Sequence, residues 1–257
     1  MKHAYLALAI LCGVFFVKAS RAQPAFEPVQ FNTPDGLTLE GRLYPGGTKK
    51  GVVCAHMFPA DQASYGALAK DLARKGYPVL TFNFRGYGNS GGPKNISRIA
   101  LDMNAAVRFM AERVTCMVLI GASMGGTASI LEGNHPKVKG VVTLSAPAAF
   151  QGLDARSKVS ELKPPKLFVA AKGDVSAYES AEYFYAHATE PKEILLVEGS
   201  AHGTLLLEDP SAPLIKRKLL EFLQSSLGTA CDLEPALERT AFFPGVAVYK
   251  TLVYSTY

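Results

Sequence analysis

Six short, almost uninterrupted apolar runs recur along the chain: Val52 to Ala55, Val79 to Phe84, Met117 to Ile120, Val141 to Leu144, Leu167 to Ala170 and Ile194 to Val197. A strand with one wet face alternates apolar and polar residues. Continuous runs of this length belong instead to strands covered on both faces, as in a parallel sheet. The segments between them carry helical periods. Ile96, Ile99, Met103, Val107 and Met110 recur in steps of three and four, and so do Leu214, Leu219, Leu220 and Leu223 before Gly228. Ahead of the first run, Pro34-Asp35-Gly36 separates Val29 to Phe31 from Leu37 to Tyr44, the pattern of an antiparallel hairpin. The pattern predicts an α/β architecture, a mainly parallel sheet flanked by helices with an antiparallel start. A length of 257 residues with 48% hydrophobic content suits one such domain, and no repeat, low-complexity block or linker divides it.

The ends read differently. Lys2 and His3 precede a 14-residue apolar run, Ala4 to Val17, and Ser20-Arg21-Ala22 puts small residues at the two positions that a signal peptidase inspects. Residues 1–22 are therefore expected to be a secretory signal cleaved before Gln23, with the protein secreted or periplasmic and no stable membrane span left after cleavage. The domain is expected over 23–228. Beyond Gly228 the periodicity fails, and 229–257 form a tail that the pattern does not assign.

Charge excludes one class of partner. The formal charge of +5 comes from 27 basic and 22 acidic residues. Removing Lys2, Lys18 and Arg21 leaves 24 against 22, about +2, without the concentrated basic face that phosphate binding requires. No nucleic-acid partner is expected. Outside the signal there are three cysteines, Cys54, Cys116 and Cys231, with no C-x-x-C pair. Two lie in apolar runs, where a free Cys packs as a small hydrophobe, so neither a disulfide framework nor a zinc site is expected.

The chemistry-bearing residues follow strands. Gly121-Ala122-Ser123-Met124-Gly125 closes the run Met117 to Ile120 and opens a helix, the context in which G-x-S-x-G makes a sharp turn that lifts the Ser hydroxyl above the sheet. A Ser nucleophile needs a base, and the base needs an orienting acid. Asp174 follows the run Leu167 to Ala170, and His202 follows Ile194 to Val197. All three therefore fall past the ends of parallel strands, on the edge where open α/β sheets hold ligands. Glu198 is four residues from His202, too close in sequence to reach its far ring nitrogen easily. An acyl-transfer oxyanion needs two backbone donors: the N–H of Met124, and one from the loop Ala55-His56-Met57-Phe58-Pro59. His56 is expected to brace that loop. The Gly-rich stretch Asn83 to Gly92 lacks the spacing of a phosphate loop and is expected to anchor Arg85.

The series His56-Met57-Phe58, Arg85-Gly86-Tyr87-Gly88-Asn89-Ser90, Gly121-Ala122-Ser123-Met124-Gly125, Asp174 and His202 resembles the α/β-hydrolase superfamily, nearest to its dienelactone-hydrolase-like and serine-aminopeptidase-like branches, over about residues 30–227. The resemblance implies a three-layer α/β-hydrolase fold without a large lid domain. Ser123 matches the nucleophile, His202 the general base and then acid, and Asp174 the orienting acid. Phe58 and Met124 match the two oxyanion donors, although Met57 stands where the family commonly has Gly, which leaves the second donor as Phe58 or Met57. The implied activity is hydrolysis of a small-molecule carboxylic ester, thioester or amide with no metal or cofactor. A serine peptidase or aminopeptidase of the same fold, with Asp61 and Glu179 as candidate amine-holding acids, and a non-catalytic binding homologue are the alternatives.

Overall fold

A computed structural model describes residues 25–228 and Cys231. The expected signal 1–22 and nearly all of the tail lie outside the described residues. The strands and helices run β1 (Glu27–Asn32), β2 (Thr38–Tyr44), β3 (Lys50–Ala55), α1 (Gly66–Arg74), β4 (Val79–Phe82), α2 (Ile99–Ala111), β5 (Cys116–Ala122), α3 (Met124–Glu132), β6 (Val138–Leu144), β7 (Ala149–Phe150), β8 (Leu153–Asp154), β9 (Lys166–Ala171), α4 (Val175–His187), β10 (Lys192–Val197) and α5 (Ala212–Ser226).

Eight strands make one sheet in the order β1-β2-β4-β3-β5-β6-β9-β10. β1 pairs antiparallel with β2 and β2 with β4, and every later pairing is parallel. The hairpin turns at Gly36, whose φ of +85° favours a residue without Cβ. Alternate residues of each inner strand face opposite layers. Val53, Leu80, Met117, Leu119 and Phe168 pack under α2, α3 and α4, whereas Val52, Val79, Val118, Ile120 and Leu167 pack under α1 and α5. This two-sided burial is why the runs lack polar alternation. β10 departs from it: as the edge strand it is mostly half-buried.

Two helical readings are refined. Over 96–98 the chain makes a 3-10 turn before α2 begins at Ile99. In α5 the inward face is Ile215, Leu219, Phe222 and Leu223, and Leu214 is exposed, because the stripe that meets β6 is rotated by one residue from the leucine pattern.

The expectation that the cysteines stay unpaired is wrong at two of the three. Cys116 and Cys231 form a disulfide with Cα atoms 5.9 Å apart, and among the described residues Cys54 alone is free, and it is buried. Nothing local signals the pair, whose members lie 115 residues apart, one in β5 and the other five residues past α5 (Ala212–Ser226), and the total of three is odd. No helix among the described residues is long and apolar enough to cross a membrane.

Candidate active site

The registers bring the loops of interest to one edge. Ala55 lies opposite Gly121, Ala122 opposite Leu144, Leu144 opposite Val169 and Ala171 opposite Val197, so these five parallel strands end nearly level. Backbone bonds continue past the strand ends. The N–H of Ser123 donates to Leu144 O at 2.8 Å, Ser145 to Val169 O at 2.8 Å, Lys172 to Val197 O at 2.8 Å and Gly173 to Gly199 O at 2.7 Å. The segments bearing Ser123, Asp174 and His202 are thereby stitched to one another through main chain.

Ser123 has φ +49° and ψ −122°, a strained conformation for a side-chain-bearing residue. Its flanking glycines are required by contact. A Cβ on Gly121 would sit 2.2 Å from Gly125 O, and one on Gly125 would sit 2.3 Å from Ala55 O and 2.7 Å from His56 O. The start of α3 is thus pressed against the backbone of the loop after β3. The N–H groups of Met124, Met57 and Phe58 have no acceptor among the described residues, as a pair of donors reserved for a ligand requires. Phe58 is 45% exposed, whereas Met57 and Met124 are buried, and the Phe58-Pro59 peptide is cis.

His202 Nδ1 lies 2.7 Å from Asp174 Oδ2. Asp174 occupies the N-cap position of α4 but its side chain caps nothing, leaving the carboxylate for the imidazole. The loop carrying His202 packs against Ala122 and Met57: a Cβ on Gly203 would lie 3.5 Å from Ala122 Cβ and 2.5 Å from Met57 Sδ, and Thr204 Oγ1 lies 3.7 Å from the same sulfur. The structure therefore joins Asp174 to His202 directly and sets the His202 loop beside the elbow. The Ser123 hydroxyl makes no hydrogen bond with a described residue, so the serine-to-imidazole contact is not closed. Glu198 instead pairs with Lys172.

His56 is fully buried between the rings of Phe84 and Tyr87, with centroids 4.9 and 4.8 Å away. Its Nε2 accepts from the Phe84 N–H at 3.1 Å, so Nδ1 carries the proton and donates to Met57 O at 2.9 Å. Desolvation holds its pKa down at about 4, and the neutral ring braces the loop as expected. Arg85 is anchored too. Its Nη2 is 2.6 Å from Asp102 Oδ1, its Nη1 2.9 Å from Asp35 Oδ2, and its own N–H donates to Asp102 Oδ2 at 2.8 Å. Burial works against the charge, but the two carboxylates outweigh it and hold the guanidinium pKa above its usual value.

Ser145 was not among the sequence candidates. It stands one residue past β6, as Ser123 does past β5, with φ +54°, full burial and a hydroxyl without a partner. Only its place at the end of an apolar run could have drawn attention to it. The buried Cys54 thiol is pushed up by desolvation and offers no nucleophile. Among the described residues no group of three or more His, Cys, Asp or Glu could hold a metal ion.

Comparison with known proteins agrees with this architecture. The family model described as serine aminopeptidase, S33, matches residues 46–163, a stretch that contains the loop after β3 and the Ser123 elbow but ends before Asp174 and His202. The uncharacterized protein YfhR of Escherichia coli K12 is 23% identical over 233 residues, covering 78% of this chain and 81% of the relative. An uncharacterized protein of Mycobacterium tuberculosis H37Rv is 26% identical over 231 residues, with 79% and 82% covered. Among solved structures, the Pyrococcus furiosus esterase Pf2001 superposes with a TM-score of 0.72 at 20% identity, covering 79% of this chain and 91% of that one. With its eight-stranded, mainly parallel sheet, antiparallel first hairpin and strand-end site, the chain has the α/β-hydrolase fold that these solved structures share.

Proposed function

We propose that the protein is a serine hydrolase that cleaves a carboxylic ester, thioester or small amide. The observation that carries this reading is the 2.7 Å bond between His202 Nδ1 and Asp174 Oδ2 beside a serine held at φ +49°. The reaction requires the Ser123 hydroxyl to hydrogen-bond His202 Nε2. Ser123 Oγ then attacks the substrate carbonyl carbon while its proton passes to Nε2, and Asp174 steadies the imidazolium. The negative oxygen of the tetrahedral intermediate is received by the N–H of Met124 and that of Phe58 or Met57. Collapse breaks the bond to the leaving group, which departs with the proton from Nε2. Water, deprotonated by the same nitrogen, releases the acid and restores Ser123. Side chains and backbone groups carry every step without a cofactor.

A fluorophosphonate should label Ser123 covalently, and Ser123→Ala should lose both labelling and p-nitrophenyl acetate hydrolysis. Absence of labelling in folded protein, with Ser123→Ala behaving as wild type, would sink the proposal and favour a non-catalytic binding role. The aminopeptidase alternative gains little from its acids. The Asp61 carboxylate is taken by the Ala63 N–H at 2.7 Å, and Glu179 is on an exposed part of α4. Aminoacyl p-nitroanilides should therefore be cleaved far more slowly than the acetate ester.

Export to an oxidising compartment is part of the same proposal. It is supported by the amino-terminal pattern and by the Cys116–Cys231 disulfide, a bond that persists mainly outside the cytosol. Fusing residues 1–30 to a reporter active only after export tests it.

A further inference from the structure

A cavity of about 410 Å³ opens between α1 and α5, floored by Leu68, Leu72, Leu219 and Leu220 and rimmed by Lys75 and Lys216. No residue of the candidate active site lines it. Arg74 on the same rim pairs with Asp71, and Lys218 on α5 pairs with Glu193, but Lys75 and Lys216 have no carboxylate partner among the described residues. A second cavity of about 470 Å³ shares Asp71 and Arg74 with the first and adds Arg42 and Lys70. Asp71 is the only acid among the described residues that line either one. An apolar floor under a basic rim fits a segment that alternates apolar and acidic side chains.

The chain carries such a segment directly after Cys231. That residue is bonded to Cys116 and buried in the same core layer as Leu68, Leu72 and Leu219, so the chain passes to residue 232 from the layer that holds the groove. Residues 232–238 read Asp-Leu-Glu-Pro-Ala-Leu-Glu, with Asp232, Glu234 and Glu238 and no base. In an extended chain Leu233, Pro235 and Leu237 share one side and the three acids the other. Pro235 favours that form, because it biases Glu234 towards extended backbone. Seven extended residues span about 23 Å, whereas α5 from Lys216 to the first residue beyond it rises about 16 Å. We propose that residues 232–238 dock in the α1–α5 groove of their own chain, with Leu233 and Leu237 on the leucine floor and the three acids beside Lys75 and Lys216. The expected signal segment is the poorer occupant, since its Lys18 and Arg21 would meet a basic rim.

The test places the photo-cross-linking residue benzoylphenylalanine at position 71, which is exposed and lines both cavities, in the full chain with its disulfide intact. After photolysis of dilute protein, tryptic mapping should join position 71 to the peptide that carries 232–238, with no species of doubled mass. Lys75→Glu combined with Lys216→Glu should cut the yield by about fivefold at low salt. Adding Asp232→Lys, Glu234→Lys and Glu238→Lys to that variant should recover most of it. A melting curve for each variant checks that it is folded. In folded protein, the absence of any cross-link to 232–238 overturns the proposal, and so does a cross-link to residues 1–25. A product of doubled mass also overturns it, assigning the groove to an interface between copies. An unchanged yield in the double variant, or a charge exchange that recovers nothing, removes the basic rim as the reason the segment docks and overturns the proposal as well.

Discussion

Where β5 begins, Cys116 is bonded to Cys231, and where β9 begins, the fully buried Lys166 ammonium donates to Leu162 O and Thr189 O at 2.8 Å each. Where the parallel strands end, Ser123 and Ser145 stand at positive φ, and the N–H groups of Met57, Phe58 and Met124 have no acceptor among the described residues. One end of the sheet is cross-linked; the other holds strain and unmet donors. Such features persist only where the surroundings over-determine them, and here the loop-to-loop backbone bonds and the buried His56 and Arg85 do so. Mutations should therefore divide cleanly. Changes at the strained edge should cost rate, and changes at the supports should cost stability.

The largest effect is expected at the elbow. Ser123→Ala should reduce kcat/KM by at least about 10³-fold while shifting the melting temperature by no more than about 2 °C. A large fall in melting temperature would break the division, since it would make Ser123 part of the scaffold. Cys231→Ser should lower stability by about 4 kcal/mol, as removal of a closed loop of this size predicts, with the turnover of the folded fraction retained. Denaturant titration with and without reductant measures it, and reductant should act on wild type alone. Arg85→Met should cost about 3 kcal/mol or more, because it leaves the Asp102 carboxylate buried without its cation.

His56 sharpens the comparison through pH. Its folded pKa of about 4 lies below the ordinary 6.5, so the unfolded chain binds the extra proton between these values. The stability it contributes is complete above pH 6.5 and is lost as pH falls through 4. The stability difference between wild type and His56→Gln should accordingly shrink by about 3 kcal/mol from pH 7 to pH 4. The smallest change is at Ser145. Replacement by Gly, which accepts φ +54° and removes an unpaired buried hydroxyl, should raise stability by about 1 kcal/mol.

What the sequence disclosed follows the same division. The inner strands were legible because burial on both faces leaves a continuous apolar run, and the elbow was legible because two glycines are enforced by backbone contacts near 2.2 Å. The positions of Asp174 and His202 followed from strand ends alone. The Cys116–Cys231 bond was not legible, since nothing local in either segment signals a partner 115 residues away. The inward face of α5 was misplaced because Leu214 and Ile215 are equally apolar and only contact with β6 chooses between them. Ser145 left no trace, as its strain arises from where the chain goes after β6 rather than from its residue type.

The disulfide has a topological effect as well as an energetic one. Ser123, Asp174 and His202 all lie within the covalent ring that runs from Cys116 to Cys231. A protease that cuts once anywhere inside that ring, for example in the exposed turn around Gln151, opens the chain without releasing either piece. The three side chains stay on one molecule, so a nicked enzyme would run as a single species until reduced. In a compartment shared with proteases, one backbone cleavage would then not be enough to dismantle the site.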